Sequence, residues 1–264
     1  MAKGKHSGKK TRKRRFKIKS KAKLLRIFLI LALIISVSII IIKLSHNDTD
    51  PLIEDIQKDN SVPQKGVETE RMKKLKELQK ENSDIVGWIQ IEDSKINYPV
   101  LQTTDNDFYV RRNYKKEYSF DGSIFLDKDY DWDLPSTNLL IYGHNNKGSS
   151  EMFVDLMKYK DEEYYNTHKI IRFTTSTEDS EYEIIAVFLS RIFYKSEKDV
   201  FRYYYFINAN NEQEFNYFVE NSKKISLYDI EATAKYGDQL MTLLTCSYHT
   251  EDGRLAVVAR KIER

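Results

Sequence analysis

The chain has 264 residues, and its 43 Lys and Arg outnumber its 40 Asp and Glu by only three. Its single cysteine, Cys246, excludes an intramolecular disulfide and the multi-cysteine cluster of a structural zinc site. The near balance of charge hides an asymmetry: thirteen of the cations and no acid lie in residues 1–26, leaving 30 Lys and Arg against 40 acids in the rest, which argues against nucleic acid as a partner.

Residues 1–23 form a basic tail. From Ile27 to Ile42 the chain is apolar except for Ser36 and Ser38, and Leu24 to Leu44 gives 21 residues, close to the ~20 that a helix needs to cross a bilayer. Arg26 and Lys43 can carry their charges to the interface. The basic flank precedes the segment, so the positive-inside rule puts the N-terminus in the cytoplasm and the remainder outside. No small-x-small cleavage site follows Ile42, so a single-pass, uncleaved signal anchor in the cell membrane is expected. Ser45 to Gly66 is polar, holds Pro51 and Pro63, and lacks a sustained period; it is expected to be a spacer lifting a domain off the membrane. Residues 67–264, about 200, suffice for one sizeable core.

Val67 to Glu81 sets Met72, Leu75 and Leu78 on one stripe among Lys and Glu and predicts an amphipathic helix. Strand signals follow at Ile85–Ile91, Ile96–Gln102, Gly122–Leu126, Asn138–Tyr142, Lys169–Thr174, Glu181–Leu189, Leu240–Tyr248 and Arg254–Ile262. A mainly β domain with helical additions is expected, its eight strands closed or nearly closed into a barrel. One inserted helix is predicted at Asn211–Ser222, where Phe215, Phe218 and Val219 share a face. The aromatic-dense Phe201–Phe206 before it reads as core packing.

An isolated cysteine is commonly a small buried hydrophobe. The neighbours of Cys246 argue for a use. Thr250–Gly253 is a turn with Asp-Gly punctuation, so a hairpin centred near Thr250 sets Cys246 opposite, or nearly opposite, Arg254. A guanidinium beside a thiol can lower its pKa or donate to an oxyanion formed when the thiolate attacks a carbonyl. A cysteine nucleophile also wants an imidazole. His6 and His46 fall in the tail and the spacer. Of the other three, His144 follows an apolar strand ending at Gly143, where the chain emerges at a rim. His168 reads as a structural or surface residue. His249, three residues from Cys246, would point to the opposite face of an extended strand.

Tyr142-Gly143-His144-Asn145, Thr242-Leu-Leu-Thr-Cys246 and Gly253-Arg254-Leu255 together resemble the His, Cys and Arg signatures of the sortases. Asn82-Ser-Asp-Ile-Val-Gly-Trp-Ile, Ile96-Asn-Tyr-Pro-Val-Leu-Gln, Asp105-Asn-Asp-Phe-Tyr and Gly122-Ser-Ile-Phe-Leu-Asp127 are similar to the class B branch. The resemblance extends from about Val67 to Arg264. It implies an eight-stranded sortase-type barrel and a cell-surface transpeptidase of Gram-positive bacteria. Such an enzyme cleaves a C-terminal sorting motif after threonine through a thioacyl-enzyme. It then joins the surface protein to a peptidoglycan precursor or cross-bridge amine. By that resemblance Cys246 is the nucleophile, His144 the general acid and base, and Arg254 the oxyanion donor. Asn106, Val110 and Tyr142 fall at groove positions, where barrel packing is the plainer reading. Class B members often carry Ser two residues before the cysteine; Leu244 here removes a hydroxyl from the groove and leaves the sorting motif open. The match implies no metal and no cofactor. Competing readings are a pilin polymerase or surface binding protein on a modified sortase scaffold, and a cysteine hydrolase of the cell wall.

Overall fold

The computed structural model describes residues 23, 25–38, 51–59, 63 and 66–263. Residues 25–38 are helical and exposed. Among the described residues, no helix is long and apolar enough to cross a membrane. The basic tail up to residue 22 and the remainder of the expected Leu24–Leu44 span lie outside the described residues.

From Pro51 onward the chain forms a unit of its own. Its strands are β1 (Ile85–Gln90), β2 (Asn97–Leu101), β3 (Ile124–Leu126), β4 (Asn138–Tyr142), β5 (Ile170–Thr174), β6 (Asp179–Arg191), β7 (Leu240–Cys246) and β8 (Gly253–Lys261). They close into a barrel in the order β1-β2-β3-β4-β7-β8-β6-β5. All eight fall where the sequence pattern predicted strands. The pairs β2–β3 and β4–β7 are parallel, and the others are antiparallel.

The central strands read as almost continuous apolar runs because both their faces are covered. On β7, Met241 and Leu243 join the barrel interior, while Leu240 and Leu244 join an outer cluster. On β8, Leu255, Val257 and Ala259 point in, and Ala256 and Val258 point out. The outer cluster is roofed by Tyr203 and Tyr204 and by the inserted helix (Glu212–Lys224) through Phe215, Phe218 and Val219. Asn211 caps that helix by accepting from Glu214 N at 2.9 Å. The aromatic stretch before it is core, as its composition suggested.

A third cluster covers the outer side of β1, β2 and β3, and it corrects the expected spacer. Pro51–Gln57 is a helix, here α1, whose Ile53 and Ile56 are buried against Leu75, Leu78 and Trp88. Gln57 and Asn97 exchange side-chain hydrogen bonds with each other's carbonyls at 3.0 Å, and Trp88 Nε1 donates to Asn97 Oδ1 at 2.7 Å. The packed domain therefore starts at Pro51. Two apolar residues three apart are too short a pattern to display a helical period. The next helix, α2, runs Glu70–Glu81 and begins later than predicted because Thr69 caps it, its hydroxyl accepting from Met72 N.

Candidate active site

Tyr142 ends β4, beside Leu244 in the parallel β4–β7 register. Beyond the strand the chain stays tied to β7. Gly143 N donates to Leu244 O at 3.1 Å, Thr245 Oγ1 to Gly143 O at 2.8 Å, and Asn145 Nδ2 to Cys246 O at 2.9 Å. His144 lies between these ties, so the continued register sets it alongside Cys246. A side chain at Gly143 would meet the Phe153 ring at 2.5 Å, which explains glycine immediately before this histidine.

The imidazole is held from the far side. His144 Nε2 lies 2.8 Å from the carbonyl oxygen of Val110, in the short helical turn Phe108–Arg111. A carbonyl only accepts, so Nε2 carries hydrogen in either charge state, and Nδ1 is the nitrogen free to take and give a proton. Gly122, at φ +61°, allows this approach: a Cβ there would sit 2.5 Å from Val110 O. Val110 thus contributes to the site through its backbone.

Across the hairpin, Cys246 pairs directly with Arg254, and Ser190 of β6 pairs with Arg254 on its other side. Strand parity puts Cys246, Arg254, Leu244, Ala256 and Tyr142 on the outer face of the barrel. This is the face roofed further along by the inserted helix. Cys246, Arg254 and His144 are each partly buried. Arg254 Nη1 donates to Gly253 O at 2.9 Å, and among the described residues no carboxylate pairs with this guanidinium. Its charge reaches two phenols. Burial pushes Tyr142 and Tyr203 well above the usual tyrosine range, and Arg254 partly offsets both rises.

The other histidines stay out of this constellation. His168 stacks on Tyr164, centroids 3.8 Å apart, and its Nδ1 lies 2.9 Å from Tyr164 O. His249 lies in the turn after β7, its Nδ1 2.9 Å from Ser247 Oγ. Because β7 ends at Cys246, the turn and not strand parity sets the direction of His249.

Tyr142 and Asn106 meet at one carboxylate: Tyr142 OH donates to Asp127 Oδ2 at 2.7 Å, and Asn106 Nδ2 to the same oxygen at 3.0 Å. Leu244 departs from its expected groove position. It is 3% exposed and packs into the outer cluster, so it offers no surface to a peptide. Sequence reasoning missed Asn145 and Asp127 as site-building residues. Each stood inside a motif already singled out, Asn145 directly after His144 and Asp127 at the end of Gly122–Asp127.

A thiol, an imidazole and an unpaired guanidinium on one rim are the equipment of a cysteine-based acyl-transfer enzyme. Comparisons with known proteins lead to the same class. The Sortase domain family model matches residues 89–262. A sortase B of Listeria monocytogenes is 34% identical over 192 residues, spanning 72% of this chain and 74% of that protein. The structure of a Staphylococcus aureus sortase B–substrate complex is similar at TM-score 0.64 and 29% identity, covering 73% of this chain and 86% of that one. Sortase B from Bacillus anthracis in complex with AAEK1 is similar at TM-score 0.66 and 33% identity, over 80% and 93% of the two chains. The chain belongs to the sortase family, in its class B branch of cysteine transpeptidases.

Proposed function

We propose that this protein is anchored in the cell membrane by Leu24–Leu44, cleaves a C-terminal sorting motif of exported proteins after threonine, and joins them to a cell-wall amine. The observation that carries this reading is the direct pairing of Cys246 with Arg254 on the face where His144 is tied beside β7. His144 Nδ1 takes the thiol proton, and the Cys246 sulfur bonds to the threonine carbonyl carbon. Arg254 donates to the resulting oxyanion. When the tetrahedral centre collapses, the C–N bond breaks and Nδ1–H protonates the leaving amine, giving a thioacyl-enzyme. An incoming wall amine attacks the same carbonyl, loses a proton to Nδ1, and expels the thiolate. The Val110 anchor on Nε2 is untouched through the cycle.

The full chain in detergent, given threonine-containing sorting peptides with and without an added amine, tests the proposal. Amine-dependent ligated product supports it. Acid product alone makes the protein a hydrolase, and absence of turnover across a peptide library leaves a binding role. Within that assay Arg254→Lys is expected to be badly impaired, because lysine keeps the charge but loses the planar fork. A lost oxyanion donor costs about 10²–10³ in rate. Near-normal rates in this variant would show that Arg254 supplies only a general field.

The anchored topology has its own test. The thirteen cations in residues 1–26 support a cytoplasmic N-terminus and a catalytic domain facing the wall. Protease added to protoplasts stripped of wall should remove the domain and leave a small membrane-held stub. Survival of the domain in intact protoplasts would place it inside, out of reach of exported substrates.

A further inference from the structure

Asp127 follows β3 and is 5% exposed, yet no Lys or Arg makes a salt bridge to it among the described residues. Its two carboxylate oxygens divide their work. Oδ1 accepts from Asp129 N at 2.9 Å, a local turn bond that an asparagine oxygen also supplies. Oδ2 accepts from Tyr142 OH at 2.7 Å and from Asn106 Nδ2 at 3.0 Å. Asn106 is further oriented by accepting Lys128 N on Oδ1 at 2.8 Å. Tyr142 and Asn106 are partly exposed, whereas Asp127 beneath them is buried.

The consequence follows from donor and acceptor counting. An ionised carboxylate only accepts, so the Tyr142 hydrogen is committed to Asp127 and its oxygen can only accept from the groove. The Asn106 amide nitrogen is likewise fixed, with its second N–H as donor. Tyr142 stands on the same face as Arg254 and Cys246, on the Leu244–Ala256 row next to theirs. We propose that Asp127 is a positioning residue that sets the hydrogen-bond polarity of the peptide groove, holding Tyr142 as acceptor and Asn106 as donor towards bound substrate. The inference rests on the transpeptidase reading.

Asp127→Asn tests it because asparagine keeps the Oδ1 turn bond while setting an NH2 group against Tyr142 and Asn106. A mispaired hydrogen bond is expected to raise KM about tenfold, with kcat far less changed. The effect should shrink in a Tyr142→Phe background to the part that acts through Asn106, and iodoacetamide should alkylate Cys246 at the wild-type rate. With ¹³Cζ-labelled tyrosine, the Tyr142 resonance, identified by its loss in Tyr142→Phe, should shift in Asp127→Asn. A purely structural role would instead lower the melting temperature and active fraction, leave KM unchanged, and add to the effect of Tyr142→Phe. An unmoved resonance, or an unmoved KM with a shifted resonance, overturns the proposal. If the wild type turns over no peptide, the functional reading fails separately, and the Asp127–Tyr142 bond stands or falls on the resonance alone.

Discussion

Cys246→Ala is expected to abolish turnover while leaving the fold intact. The thiol is the only sulfur nucleophile in the chain, and no other side chain at this rim can form the thioacyl intermediate. Removing such a group from a unit that acts together costs at least ~10³ in rate. The fold tolerates the change because Cys246 contributes mainly backbone at the end of β7: its carbonyl accepts from Asn145, and its strand partner is Arg254. Peptide cleavage and thermal melting measured on the same preparation decide the matter. Activity within about tenfold of wild type would refute the nucleophile assignment.

His144→Ala is expected to lower the rate at least ~10²-fold, the usual scale for a general acid or base. The residue is suited to the role by its tie to Val110 O, which leaves Nδ1 for the reacting proton. His249→Ala and His168→Ala should cost far less. His249 bonds to Ser247 Oγ within a turn, and His168 is committed to Tyr164 by stacking and by Nδ1. Loss in His168→Ala should appear in thermal stability, with little in rate. If His249→Ala is the crippling change, the proton-transfer role moves to the turn after β7.

Much of this protein was legible along the chain because its signals are local. The β7–β8 hairpin is the clearest case: strand residues on both sides of Thr250–Gly253 put Cys246 across from Arg254, and the register agrees. His144 was recognisable as the residue where an apolar strand meets a glycine. The helix over Glu212–Lys224 announced itself by its apolar stripe of Phe215, Phe218 and Val219. The α1 helix did not, because its stability comes from Leu75, Leu78 and Trp88 and not from its own seven residues. The buried place of Leu244 escaped notice for a related reason. Its burial depends on a roof supplied by residues 203–219, remote in sequence.

By itself the sequence determined the strands, the hairpin opposition of thiol and guanidinium, the candidate imidazole and the family these imply. Each is written in spacings of a few residues, where side-chain period and turn chemistry act directly. Only the tertiary structure decided what holds those groups. The parallel β4–β7 pairing joins segments about a hundred residues apart and brings His144 beside Cys246. Barrel closure turns a backbone carbonyl, Val110, into the anchor of the imidazole, and one buried carboxylate, Asp127, into the common support of Tyr142 and Asn106. Such contacts leave no periodic trace, because they depend on chain closure over long loops, and that geometry exists only once the core has packed.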